Sequence, residues 1–456
     1  MKFAIAKNNI TPGNPVFLAG FGGRDRKCEG VLDDIFVKVA LIESMGQLVV
    51  ITLDALGGDG SFVMGIKEAL LEVFGLKAEQ VLINFSHTHC SVYLTGEAHE
   101  RRRGGYSLGQ EKWPEKEDDI DYAEDIRYFR FIRDTIISLV RQCSENLVEG
   151  TLLLSKGVSN AGVSRRLLTN EGMMLKPNFQ AETDQDLFVL QLLDAQNKRK
   201  GLLFSYGCHP TCIGTNKISA EFVGQACTEL EASFPDNIAI YLQGCGADIK
   251  PLKTVIGDRF KSCTVEEMRE AGVELAEDVK RTISKCEAMP LTGSMQTAEL
   301  EVRLFTEPWG LNEMLAIAED ETKTEYKRRA ARRTVDAIKE GRVRQVLPFT
   351  ITVWGLGDRF RMIALEGEIP SEYAIHIKRL FSTMNVMVLG YSNGVPTYIP
   401  TRQILIEGGY EAEAFVLHGY RGPFVPENEW IIIGAVIEAE KRFQTLQYGE
   451  NSVIKS

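Results

Sequence analysis

Two histidines one residue apart, His87 and His89, close the apolar run Ile83-Asn84-Phe85-Ser86. A third closes the run in Ser205-Tyr206-Gly207-Cys208-His209-Pro210-Thr211. Only six histidines occur in 456 residues, so three at the ends of apolar runs are a chemical signal. The first run reads as a buried strand whose last residues carry the two imidazoles, and its period-two alternation sends His87 and His89 to the same side, which is half of a metal site. Pro210 holds His209 in extended backbone, because the residue before proline avoids the helical region. Acids and phenols follow other apolar runs: Asp54, Asp248 within Gln243 to Pro251, Glu368, Tyr398 and Tyr410. Imidazoles with carboxylates suit Zn2+, and a catalytic zinc keeps one position open for water. There is no short H-E-x-x-H motif, so from spacing alone the competing reading of His87 and His209 as hydrogen-bonded core residues stays open. Asp54 taken alone is equally a loop or cap residue, the bend at Gln243 to Pro251 equally only a bend, and Gly23-Arg24, which suits an anion, equally an ordinary turn.

Positioning these residues calls for buried strands. Asp34 to Glu43 and Leu48 to Leu53 are apolar runs of strand length, Ser61 to Phe74 reads as a helix, and the run before His87 follows it. This is a βαβ unit, whose functional residues belong at the carboxyl ends of its strands. Further strands are expected over Leu187 to Leu193, Gly201 to Tyr206, Ile238 to Leu242, Phe349 to Trp354, Phe360 to Leu365 and Val386 to Leu389. Helices are expected over Ile126 to Val140, Phe222 to Ser233, Ser371 to Phe381 and from Pro426 past Phe443. Thr264 and Glu267 form a capping box ahead of an amphipathic helix. A charged segment over 311–342 reads as a solvated helix or helical hairpin. The polar stretch 95–121, with Arg101 to Arg103, Tyr106 and Trp113, is a candidate lid or a disordered loop. No internal repeat or linker divides the chain, so a single large α/β domain over 1–456 is the simplest account.

Bulk composition excludes several roles. A net charge of −11 argues against holding nucleic acid or anionic lipid by counterion release. No run approaches the ~20 apolar residues of a membrane span. Nine cysteines without a repeating spacing do not form a secreted disulfide framework, and a cytoplasmic location is expected. Oligomeric state has no signal.

The order Ser86-His87-Thr88-His89, Ser164-Arg165, His209-Pro210-Thr211, Gln243 to Pro251, Gly367-Glu368, Asn393 to Thr401 and Tyr410-Glu411-Ala412 resembles the catalytic domain of the neutral, non-lysosomal ceramidases. The opening Asn9-Ile10-Thr11-Pro12-Gly13 and the Gly20-Phe21 turn resemble that family's start. The resemblance implies an α/β fold of mixed β-sheets flanked by helices and a zinc hydrolase of N-acyl amides acting on a small-molecule acyl substrate. It implies His87, His209, Glu368 and Tyr398 as zinc ligands, His89 as proton carrier and Arg165 as the group that holds the substrate or the oxyanion. Arg24, Asp54, Asp248 and Tyr410 are candidate substrate contacts. Two departures stand out. Lys250 occupies the place of a serine that contacts the reacting amide in that family, which makes it a candidate catalytic contact or the receptor for an anionic group. The residues after Tyr410 are too few for the family's C-terminal β-sandwich. Two rival readings therefore accompany the amidase: a hydrolase of a small anionic acyl compound or lactone, and a non-catalytic, metal-stabilised ligand-binding protein.

Overall fold

The structure, a computed structural model, describes residues 1–22, 24, 26–96 and 122–449, with backbone alone beyond 443. Among the described residues the largest sheet has nine strands. Eight run in the order Ile238–Gln243, Arg199–Tyr206, Asp186–Asp194, Val148–Val158, Lys2–Asn9, Phe36–Glu43, Gln47–Leu53 and Val81–Phe85, and Met289–Leu291 pairs with Val148–Val158. A second sheet runs Met295–Phe305, Val346–Leu356, Phe360–Leu365, Asn385–Leu389.

Alternation along the strands decides how these sheets stack. Leu48, Val50 and Leu82 of the large sheet share one core with Trp354, Met362, Met387 and Leu389 of the second. The intervening residues Val49, Ile51, Leu53, Ile83 and Phe85 face the helices Gly60–Phe74 and Ala123–Glu145. Leu187 and Val189 face the helices Glu221–Ser233 and Val265–Lys285. Ile363, Leu365, Val386 and Val388 face the helices Ser371–Leu380 and Asn428–Gly449. The order is thus helices, sheet, sheet, helices. Because both faces of each sheet are covered, the strands read in sequence as continuous apolar runs rather than alternating ones.

The local signals act as their chemistry requires. Asp59 caps the helix Gly60–Phe74 by accepting from Phe62 N at 2.8 Å, and Gly75 ends it in left-handed backbone. The Thr264/Glu267 capping box is formed, with Thr264 Oγ1 accepting from Glu267 N at 3.2 Å and Glu267 Oε2 accepting from Thr264 N at 2.9 Å. The charged segment is a helical hairpin, Leu311–Glu319 and Glu325–Lys339, laid over the second sheet. The candidate lid falls outside the described residues from 97 onward. Among the described residues no helix is long and apolar enough to cross a membrane.

Within these two sheets three strand pairs are parallel: Gln47–Leu53 with Val81–Phe85, Arg199–Tyr206 with Ile238–Gln243, and Phe360–Leu365 with Asn385–Leu389. Their carboxyl ends are tied together by Asn84, an amide inside an otherwise apolar strand. Its Nδ2 donates to Gly390 O at 3.0 Å and Ser392 Oγ at 3.1 Å, and its Oδ1 accepts from Gln243 N at 2.8 Å. A buried amide must be satisfied, and here its partners belong to the ends of all three pairs.

Candidate metal centre

His87 and His89 come together for a different reason than strand alternation. The strand stops at Phe85, and His87 turns the chain in left-handed backbone at φ 61°. That turn is held by His87 N donating to Ala55 O at 3.0 Å and His89 N donating to Pro210 O at 3.3 Å. His209 N donates to Ile249 O at 3.0 Å. Glu368 follows Gly367, whose φ of 82° and whose approach to Thr397 O, 2.7 Å from where a Cβ would stand, exclude a side chain. Glu368 is thereby bridged to Tyr398, with Glu368 N on Thr397 O at 2.9 Å and Ile399 N on Glu368 O at 3.1 Å.

The side chains converge. His87 Nε2 lies 3.2 Å from His209 Nε2 and 3.3 Å from His89 Nε2, and Glu368 Oε2 lies 3.3 Å from the Nε2 atoms of both His87 and His209. Tyr398 Oη is 3.4 Å from His209 Nε2. The three imidazoles form a group able to hold a metal ion.

Hydrogen bonds behind the rings fix their tautomers. His87 Nδ1 meets Leu56 O at 2.6 Å and His209 Nδ1 meets Gly246 O at 2.9 Å. A carbonyl only accepts, so each Nδ1 carries the proton and each Nε2 lone pair is bare. Two bare lone pairs and a carboxylate oxygen within 3.3 Å of one another repel unless a cation lies among them. Protonation is disfavoured at His209, where burial pushes the imidazole down to about 4, Arg165 adding to the effect against Glu368. Burial alone would raise the Glu368 carboxyl, yet the two imidazoles hold it well below the usual carboxylate range. Ligand atoms at 2.0–2.2 Å in a tetrahedral zinc site stand about 3.3 Å apart, which is the spacing of His87, His209 and Glu368. The donor set fits zinc.

His89 differs from the other two. Its Nδ1 has no hydrogen-bond partner among the described residues. Its ring packs edge-on against Phe21 at 5.0 Å and over Gly20, where a Cβ would stand 2.6 Å from Nδ1. Ligating histidines are normally oriented through the second nitrogen. His87 and His209 meet that condition and His89 does not.

Arg165 lies within the strand Gly162–Thr169, in a small sheet with Ile249–Pro251 and Gly172–Asn178. The register with Gly172–Asn178 slips by one residue here, the extra residue lying on Gly172–Asn178, and two consecutive arginines reach one carboxylate. Arg165 Nε donates to Glu411 Oε1 at 2.8 Å and Arg166 Nη1 to Glu411 Oε2 at 2.5 Å. Arg165 Nη2 donates to Tyr398 Oη at 3.2 Å, and its guanidinium lies 5.7 and 5.5 Å from the rings of Tyr398 and Tyr410. Tyr410, half-buried, meets Tyr398 edge-on at 5.4 Å.

The remaining candidates make their hydrogen bonds to groups other than the imidazoles. Asp54 Oδ2 accepts from Phe36 N at 2.9 Å, and burial raises its carboxyl against the charge of Lys38. Asp248 accepts from Ser371 N and Oγ at 2.7 and 2.8 Å, holding the start of the helix Ser371–Leu380. Arg24 donates to Ala19 O and to Thr215 O, the latter at 2.5 Å, bracing the turn that carries Phe21. Lys250 Nζ donates to Thr211 Oγ1 at 3.3 Å, on the segment that carries His209.

Residue types alone pass over three participants. Glu411 enters the sequence reading only inside a resembling tripeptide, although it pairs with both arginines. Tyr391, with φ 51°, lays its ring 4.4 Å from that of His87. Asn84 carried a usable signal, a polar residue within a buried strand.

No family model and no curated protein matches the sequence. Solved structures similar to it include two ceramidases. One is a neutral ceramidase from Pseudomonas aeruginosa, with a TM-score of 0.72 and 16% identity over 96% of this chain and 73% of that one. The other is a ceramidase complexed with C2, with a TM-score of 0.71 and 16% identity over 95% of this chain and 73% of that one. Mixed sheets flanked by helices, laid along almost the whole chain as they are in those two enzymes, give this protein a neutral-ceramidase-like fold.

Proposed function

We propose that the protein is a zinc-dependent hydrolase that adds water across the N-acyl amide bond of a lipid-like substrate, giving a free acid and an amine. The observation that carries this reading is the mutual 3.2–3.3 Å spacing of His87 Nε2, His209 Nε2 and Glu368 Oε2, with both Nδ1 atoms committed to carbonyls. His87, His209, Glu368 and Tyr398 would hold the ion. When bound, zinc supplies a Lewis acid for the amide carbonyl and lowers the pKa of the attacking water.

The chain's own residues do the rest. His89, beside the ligand set with its Nδ1 uncommitted, takes a proton from the water and passes it to the departing nitrogen. Arg165 presents a permanent charge toward the oxyanion that develops on the carbonyl oxygen, and Glu411 keeps that guanidinium in place. Tyr410 and Tyr398 offer aromatic surface at the same edge.

Metal-replete protein incubated with a series of N-acyl amides, with the released amine quantified, tests the reading. Turnover should fall roughly 10²–10⁴-fold in His89→Gln while zinc stays bound. No hydrolysis of any amide or ester, or equal rates in the parent and in His89→Gln, would overturn it.

A further inference from the structure

Lys250 carries a charge that its surroundings do not answer. Among the described residues no carboxylate comes within ion-pairing distance of its Nζ, whose contacts are Thr211 Oγ1 at 3.3 Å and the ring of Phe260 at 5.4 Å. The other buried cations of this region are compensated: Arg165 by Glu411, and Arg166 by Glu411 and Glu407. Glu221, the acid that acts on Lys250 from nearby, accepts instead from Ile213 N at 2.9 Å and Phe222 N at 3.2 Å, and burial raises its carboxyl to about 7. Burial and the charge of Arg165 both weaken the Lys250 ammonium. A partly buried ammonium left in that state favours an anion that arrives from outside.

The sheet register says where the ammonium stands. Ile249 pairs with Ser164 and Lys250 with Val163, so Asp248 lies opposite Arg165, and Lys250 shares the sheet face of Arg165 as its diagonal neighbour. Diagonal neighbours across an antiparallel pair are about 7–8 Å apart. Arg165 touches Tyr398, which touches His209. Thr211, the ammonium's hydroxyl partner, follows Pro210, whose carbonyl anchors His89 N. Lys250 therefore stands next to Arg165 and is tied to the segment 209–211 that carries His209 and anchors His89 N; with His89 as the proposed proton donor to the departing nitrogen, the amine half of the substrate would lie toward it.

We infer that Lys250 receives a carboxylate carried by the amine half of the substrate, which makes N-acyl amino acids the preferred class. This deepens the amidase reading and rests on it. A single ammonium with one hydroxyl balances a monoanion. A phosphate, with close to two charges near neutral pH, would leave its second charge buried and unanswered.

The test compares N-lauroylglycine, neutral N-lauroylethanolamine and the glycine-free monoamide of a dicarboxylic acid, which places the carboxylate on the acyl half. The ratio of kcat/KM for N-lauroylglycine to that for N-lauroylethanolamine should be at least about tenfold in the parent, collapse in Lys250→Met and persist in Lys250→Arg. Calorimetric titration of the metal-free protein with N-lauroylglycine should show binding weakened at least about tenfold by Lys250→Met. A preference for the acyl-half carboxylate, or a ratio unchanged in Lys250→Met, overturns the inference while any amide hydrolysis leaves the amidase reading standing. Lys250-dependent binding without hydrolysis of any amide has the opposite meaning: the ligand class stands and the amidase reading falls.

Discussion

Replacing Glu411 by glutamine keeps the size of the side chain and removes the charge shared by two buried guanidiniums. The carboxylate is fully buried, and its two oxygens take separate bonds from Arg165 and Arg166. Removing one partner of a buried ion pair leaves an uncompensated charge and costs about 3–5 kcal/mol. Unfolding entropy near 2.1 cal/mol/K per residue gives a chain of 456 residues roughly 1 kcal/mol per degree, so Glu411→Gln should lower Tm by about 3–5 °C. Glu407→Gln is the control, since Glu407 is partly exposed and meets Arg166 at 3.2 Å. A pair of that kind is worth at most about 1 kcal/mol. Differential scanning calorimetry at fixed protein concentration and scan rate reads both. Turnover should fall along with Tm in Glu411→Gln, because Arg165 loses its anchor, while zinc content holds. A Tm within a degree of the parent, or an equal loss in Glu407→Gln, would show that the two guanidiniums do not depend on the Glu411 charge.

Two further outcomes follow from the same geometry. Although burial opposes it, Arg165 and Arg166 hold the Glu411 carboxyl below the ordinary glutamate value, so its stabilisation is present above about pH 4.3 and is lost as pH falls through the lowered value. The Tm difference between the parent and Glu411→Gln should therefore be constant near neutrality and shrink below that pH, which calorimetry across pH 3–7 would follow. Gly20→Ala would place a methyl group 2.6 Å from His89 Nδ1 at a φ of 100°. Displacing that ring should cost at least about 10²-fold in kcat with zinc content unchanged, since angstrom misplacements at a reacting centre carry penalties of that order.

The strands were legible because two-sided burial leaves long apolar runs, as in Leu48 to Leu53. The capping box at Thr264 and the hairpin at 311–339 were legible because their signals are local. The site was legible in residue type but not in geometry. Strand alternation placed His87 and His89 on one side for a reason that does not operate: the strand ends at Phe85, and partners far along the chain, Ala55 O and Pro210 O, set the turn. The pairing of Arg165 and Arg166 with Glu411 spans 246 and 245 positions, a separation that leaves no mark on local sequence. Asp54, Asp248 and Arg24 were selected for their charge, and each is spent on neighbouring groups that only the folded chain brings to it.

The proposed hydrolase stands or falls with a metal ion held by His87, His209 and Glu368. Elemental analysis of freshly purified protein, beside His209→Ala and the double variant His87→Ala/Glu368→Ala, addresses it most directly. About one zinc per chain is expected in the parent and none in either variant, all three remaining folded. Absence of metal from the parent after zinc is added back, or full retention in the double variant, would contradict it.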